Sequence, residues 1–173
     1  MSNTGFWAAA AVSAAASCAA VLIMATPSAA QGGAPAVGRE GTSVERGRYI
    51  AQIGGCNDCH TEGYALSGGK VPEAEWLKGD ALGWRGPWGT TYPANLRRVL
   101  AKYSEDQWVQ VAKTAEYRPP MPWFALHDMS EADLRSFYRF VRSLGAEGAP
   151  APAYLPPGET PRGPYIQYPA PGH

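Results

Sequence analysis

Cysteine and histidine are scarce in this chain, and net charge is absent. Three cysteines and three histidines occur in 173 residues, while fifteen Lys and Arg balance fifteen Asp and Glu. So few cysteines exclude a disulfide-stapled scaffold. With the charge balanced, nothing suggests a nucleic-acid binder or a membrane-surface protein, and weak long-range steering toward partners is expected. No internal repeat is present. No phosphate loop is present either: Gly68-Gly69-Lys70 has the wrong spacing, and no Ser or Thr follows the lysine.

Residues 1–30 carry no charged side chain, and Arg39 is the first basic residue. From Ala8 to Met24 the chain is Ala-rich and apolar, broken by Ser13, Ser17 and Cys18. Ser28 and Ala30 then supply the small residues that signal peptidase needs. This predicts a signal peptide over 1–30, cleavage after Ala30 and a periplasmic mature protein, although Met1–Trp7 lacks the usual Lys or Arg. An uncleaved anchor is the alternative. The stretch is barely long enough to span and is rich in weakly apolar alanine, so no membrane span is expected after cleavage. A lipid anchor through Cys18 is disfavoured by the Ala15-Ala16-Ser17 approach. The mature chain then keeps two cysteines, Cys56 and Cys59.

Residues 31–42 read as a flexible linker of small residues. Ser43 opens a helical pattern that runs to Ile53 and stops at Gly54-Gly55. Residues 61–102 show almost no periodicity and are punctuated by Gly, Pro, Trp and Tyr. So long an irregular stretch argues against a compact domain unless a bulky prosthetic group gives its aromatics something to pack on. Ser104-Glu105-Asp106-Gln107 is a capping box, and its helix should end near Glu116. Ser130-Glu131-Ala132-Asp133 opens a last helix with Leu134, Phe137, Tyr138, Val141 and Leu144 on one face and Gly145 as its stop. Residues 43–145 are thus the domain. Residues 146–173 form a tail with eight prolines. Tyr154, Tyr165 and Tyr168 can pin that tail across the domain; a disordered spacer is the alternative.

Cys56-Asn57-Asp58-Cys59-His60 is a C-x-x-C-H haem attachment signature. Two thiols on one turn can reach both vinyl groups of a porphyrin, and the adjacent imidazole is directed at the iron. A zinc half-site would need a second ligand pair, and only His127 and His173 remain. A thioredoxin-like redox pair would need a βαβ setting, which is absent. One haem c is therefore expected, held by Cys56, Cys59 and His60. For the second axial position the candidates are Met121, Met129, His127 and His173. Met121 is preferred, because the prolines of Arg118-Pro119-Pro120-Met121-Pro122-Trp123 stiffen the backbone around a weak thioether ligand. The plain alternative is a Met filling a core gap.

Gly47-Arg48-Tyr49-Ile50, Cys56–His60, Pro93-Ala94-Asn95-Leu96, Pro120-Met121-Pro122-Trp123 and Met129-Ser130-x-x-Asp133-Leu134 together resemble class I mono-haem cytochromes c. More narrowly, they look like bacterial periplasmic cytochromes related to the haem modules of quinoprotein alcohol dehydrogenases. The resemblance covers roughly Ser43 to Gly145. It implies an all-α cytochrome c fold, with three to four short helices and long irregular loops around one covalently bound haem. It also implies His60 and Met121 as axial ligands, and a crossing of the first and last helices that brings Gly47 and Tyr49 to Phe137 or Tyr138. Related sequences often continue Asn-Leu with Thr-Pro-Asp, whereas Arg97-Arg98 follows here. The dehydrogenase modules usually carry several haems per chain, and this chain has one C-x-x-C-H.

The aromatics Trp84, Trp88 and Tyr92, with Arg85, either hydrogen-bond a haem propionate or wall the pocket. Arg97, Arg98 and Lys102 read as a solvated face, with a docking patch as the alternative. The expected function is that of an electron carrier, not an enzyme, serving a periplasmic dehydrogenase or terminal oxidase. Two other readings stand beside it. One is a haem with an open distal side, under His127, for catalysis or gas sensing. The other is a structural haem subunit of a dehydrogenase complex.

Overall fold

The computed structural model describes residues 42–169; the predicted signal peptide, most of the predicted linker, and His173 lie outside the described residues. In chain order the elements are α1 (Val44–Ile53), α2 (Cys56–His60), a 3₁₀ turn (Glu73–Glu75), β1 (Gly83–Gly86), β2 (Gly89–Thr91), α3 (Leu96–Leu100), α4 (Glu105–Thr114), α5 (Trp123–Asp128), α6 (Glu131–Ser143) and β3 (Tyr165–Gln167).

Serines start the three longest helices. Ser43, Ser104 and Ser130 accept hydrogen bonds from the backbone N–H groups of Arg46, Gln107 and Asp133. At α4 the box is complete, because Gln107 Oε1 accepts in return from the Ser104 N–H at 2.8 Å. Each such cap is worth about 1 kcal/mol, since it satisfies a donor that the helix leaves open. The α4 helix ends at Thr114, two residues before the expected Glu116.

Helices α1 and α6 meet backbone to backbone at Gly47. A Cβ there would lie 2.0 Å from the Ser136 carbonyl oxygen and 2.7 Å from Phe140 Cβ. The crossing therefore falls at Ser136 and Phe140, not at the expected Phe137 or Tyr138. Tyr49 is 48 % exposed and takes no place in it. Under this crossing Ile50, Ala51, Leu134, Phe137, Phe140 and Val141 join Trp76, Leu77, Leu100 and Trp108 in one core.

The expected all-α architecture is not what forms. Among the described residues six helices are joined by a three-stranded mixed sheet of order β2-β1-β3, so the fold is mixed α and β. Strands β1 and β2 are an antiparallel hairpin turning through Pro87-Trp88, with Trp84 opposite Thr91 and Gly86 opposite Gly89. The third strand comes from the Pro-rich tail and lies parallel to β1, Trp84 facing Ile166. Two causes hid the sheet. Gly83-Trp84-Arg85-Gly86 has no period-2 alternation to read. The partner that completes it lies some eighty residues away, in a segment whose composition argues for extended chain rather than pairing.

The irregular stretch is held by side-chain bonds to its backbone. Thr61 donates to Asn57 Oδ1 and accepts from the Leu77 N–H at 2.7 Å, while the Gly79 N–H donates to the His60 carbonyl at 2.8 Å. Leu77 is fully buried at φ 61°, a conformation that costs a branched side chain about 1–3 kcal/mol and persists only where surroundings over-determine it. Trp76 packs edge-on against Tyr64 and Phe140, and its indole N–H donates to the Val71 carbonyl. Arg97, expected on a solvated face, is 2 % exposed. Its guanidinium donates to the carbonyls of Trp76 (2.7 Å), Leu144 (2.8 Å), Ala74 (2.9 Å) and Glu73 (3.2 Å). One arginine thus ties the 3₁₀ turn and α3 to the end of α6.

On the surface, Glu105 bridges Arg139 and Arg135, and Asp133 bridges Arg46. Hydrogen bonds from Arg139 and Arg135 hold the Glu105 carboxyl below its ordinary value of 4.5, and the bond from Arg46 holds Asp133 below 3.8. A carboxyl depressed in the folded state contributes stability above its unfolded pKa and loses it as pH falls through the folded one. The urea midpoint should therefore be flat near neutrality and fall below about pH 4.5, with a shallower fall in Glu105→Gln. An equally steep fall in that variant would remove this network from the cause. The effect is modest, because partly exposed pairs are screened.

Candidate cofactor site

Gly55, at φ 68°, turns the chain from α1 into α2, a conformation that glycine takes without a Cβ penalty. The turn places the two cysteines one helical turn apart, both half-buried and both free thiols. Burial pushes the Cys56 thiol up to about 12, and burial also raises Cys59. Both are therefore neutral thiols near neutral pH. A dithiol reactive as thiolate needs the opposite shift. Among the described residues no group of three or more His, Cys, Asp and Glu side chains could hold a metal.

His60 closes α2 and is 9 % exposed. Burial lowers its pKa, opposed by the hydrogen bond to Ala94, so the imidazole is neutral. Its Nδ1 lies 2.8 Å from the Ala94 carbonyl oxygen. A carbonyl only accepts, so Nδ1 carries the proton and Nε2 keeps its lone pair. That is how a metal-binding imidazole is oriented by its backbone neighbour.

Met121 sits half-buried in the turn that leads into α5, its N–H donating to the Arg118 carbonyl at 3.3 Å and its carbonyl accepting from the Trp123 N–H at 2.9 Å. This turn is fastened to the hairpin, because Thr91 Oγ1 donates to the Pro119 carbonyl at 2.7 Å. Thr91 and Ala94 are three residues apart, a span of at most about 11 Å of extended chain. One short segment thus holds the His60 ring at one end and the Met121 turn at the other.

The rival ligands are engaged elsewhere or lie outside the described residues. His127 Nε2–H donates to the Ala115 carbonyl at 3.1 Å, and its ring packs 5.0 Å from that of Trp123. Met129 packs against the core at the start of α6. His173 is outside the described residues.

Among the described residues, four buried polar side-chain atoms lack a partner: Asn57 Nδ2, Trp84 Nε1, Trp88 Nε1 and Thr90 Oγ1. An unpaired buried donor costs about 1–3 kcal/mol, so such groups mark a missing acceptor. Both indoles pack on the Tyr168 ring, at 6.0 and 5.4 Å, and so share one face of the hairpin. Two orphaned N–H groups on one face suit the carboxylates of a haem. With the thiol spacing and the free Nε2, the donor set fits haem c. Two cavities, of about 610 and 520 Å³, do not touch α2; both adjoin Tyr92 and Pro152, where the tail crosses the Thr91–Ala94 segment.

Thr91 was not singled out from the sequence, Ala94 entered only as part of the resemblance, and Tyr154 was expected only as a pin for the tail, not as a partner of Arg118. A backbone carbonyl has no sequence signal, and a single Thr or Tyr carries little. Asn95 was legible only as part of the resemblance. Its Oδ1 caps α3 by accepting from the Arg98 N–H, and its Nδ2 donates to the Glu147 and Ala149 carbonyls. Compared with known proteins, the chain matches no family model, no curated protein and no solved structure, so its function rests on the chemistry of α2, the Thr91–Ala94 segment and the Met121 turn.

Proposed function

We propose that the protein carries single electrons through one covalently bound haem c, with His60 and Met121 as axial ligands. The observation that carries this reading is the Thr91–Ala94 segment, which fastens both ligand-bearing parts. When bound, the cofactor supplies a one-electron iron(III)/iron(II) couple. Cys56 and Cys59 would hold it through thioether bonds, His60 through Nε2 and Met121 through Sδ, and the unpartnered indole N–H groups of Trp84 and Trp88 would be donors for its carboxylates. The Ala94 carbonyl fixes the tautomer and plane of His60 and strengthens its basicity. The Met121 turn, stiffened by prolines, would hold the second protein ligand and leave the iron no position for a substrate. His/Met ligation also raises the potential.

The mature protein is proposed to be exported and to act in the periplasm, taking electrons from a dehydrogenase or passing them to a terminal oxidase across a small transient interface. No helix among the described residues is long and apolar enough to cross a membrane.

The test is an absorption spectrum of the protein expressed with haem attachment. The oxidised wild type should show the weak near-infrared Met–iron(III) band, Met121→Ala should lose it, and reduced Met121→Ala alone should bind carbon monoxide. A reduced wild type that binds carbon monoxide readily would give the lead to the open-distal-site reading.

A further inference from the structure

The tail does more than cover the hairpin. Leu155 is bonded in both directions to Thr90: the Thr90 N–H donates to the Leu155 carbonyl at 2.8 Å, and the Leu155 N–H returns to the Thr90 carbonyl at 3.0 Å. Beside it, the Tyr154 hydroxyl donates to the Trp88 carbonyl at 2.8 Å. Gly89, at φ 97°, admits this approach, since a Cβ there would lie 2.2 Å from the Leu155 carbonyl oxygen and 3.0 Å from the Tyr154 ring. The Tyr154 ring is thereby fixed in space. Over it lies the Arg118 guanidinium, 3.8 Å from the ring centroid. Arg118 is the residue whose carbonyl accepts from the Met121 N–H.

We propose that the C-terminal segment is a strap that positions the distal ligand, Tyr154 acting through Arg118 on the Met121 turn. The inference rests on the ligand assignment above. A thioether is a weak ligand, and its hold on the iron depends on how far the turn can swing away. Swinging away means lifting Arg118 off an aromatic face and breaking the Thr91–Pro119 bond. Tyr154 is thus a positioning residue for a ligand thirty-three positions upstream in the chain.

The test is an imidazole titration of the oxidised full-length haem protein, followed by loss of the near-infrared Met–iron(III) band. Tyr154→Leu should bind imidazole about tenfold more tightly than the wild type, about 1.4 kcal/mol in favour of the displaced turn. Tyr154→Phe keeps the ring under Arg118 and loses only the bond to Trp88, so it should shift less. Arg118→Gln should match Tyr154→Leu, with little further shift in the double variant, because both break one contact. If Tyr154→Leu does not accumulate, Arg118→Gln carries the test alone. A lowered urea midpoint with unchanged imidazole affinity would reduce Tyr154 to a structural residue and overturn the proposal. A wild type without the Met–iron band, unaltered by Met121→Ala, overturns the ligand assignment and the strap with it, and is recognised before any strap variant is made.

Discussion

Replacing Arg97 with methionine is expected to cost about 3–5 kcal/mol of folding stability, read as a fall in the urea midpoint of the full-length protein. Methionine fills much of the same volume, so the loss comes from the bonds. Four backbone carbonyls, those of Glu73, Ala74, Trp76 and Leu144, share this one guanidinium at 2.7–3.2 Å. Arg97 is 2 % exposed with no carboxylate paired to it among the described residues, and burial lowers its pKa. The carbonyl dipoles are therefore what offset its desolvation. Lysine has three donors on a single nitrogen and cannot span the same fork, so Arg97→Lys should recover less than half of the loss. The damage should reach the site. Trp76 precedes Leu77, whose N–H is tied to Thr61, and Gly79 is tied to the His60 carbonyl. Hydrogen exchange at the Leu77 and Gly79 amides should quicken more than at α4. A loss below about 1 kcal/mol would mean that water replaces the guanidinium at little cost, and that Arg97 does not hold the turn.

Gly47→Ala should be nearly as severe, at about 3 kcal/mol, the upper end of what overpacking costs. The added methyl would stand 2.0 Å from the Ser136 carbonyl oxygen and 2.5 Å from the carbonyl carbon, so main chain rather than a side-chain tip must move. Helices α1 and α6 would have to part, and with them the layer of Ile50, Ala51, Phe137 and Phe140. The intrinsic helix propensity of alanine favours the substitution by about 1 kcal/mol, so the sign of the measured effect decides which term wins. Ser136→Ala should not rescue Gly47→Ala, because the atom struck belongs to the backbone. A neutral or stabilising Gly47→Ala would place the crossing elsewhere.

Local features were legible wherever the signal and the structure it dictates lie within one turn. The serines at 43, 104 and 130 cap helices because a side-chain oxygen reaches a donor three residues on. Gly54-Gly55 stops one helix and starts the next because Gly54 lies against the Ile50 carbonyl and Gly55 takes a positive φ. The thiols and imidazole of α2 are within five residues, so their juxtaposition needed no tertiary information. The helix face of α6 was read in part: Leu134, Phe137 and Val141 are buried as patterned, while Phe140 was passed over and Tyr138 is only half-buried. A face wide enough for two neighbours, α1 on one side and α4 on the other, exceeds the narrow stripe that periodicity picks out.

What the chain determined by itself is therefore the capped helices and the spacing of Cys56, Cys59 and His60, because hydrogen-bond reach and helical geometry act over a few residues whatever surrounds them. Only the tertiary structure decided that a Pro-rich tail supplies a strand parallel to β1, that Arg97 turns inward rather than toward water, and that Thr91 and Ala94 fasten the Met121 turn and the His60 ring from one short segment. Each of these depends on a backbone carbonyl or an unpaired strand edge brought from far along the chain. Every residue carries such groups alike, so composition and periodicity cannot single out the ones that will be used.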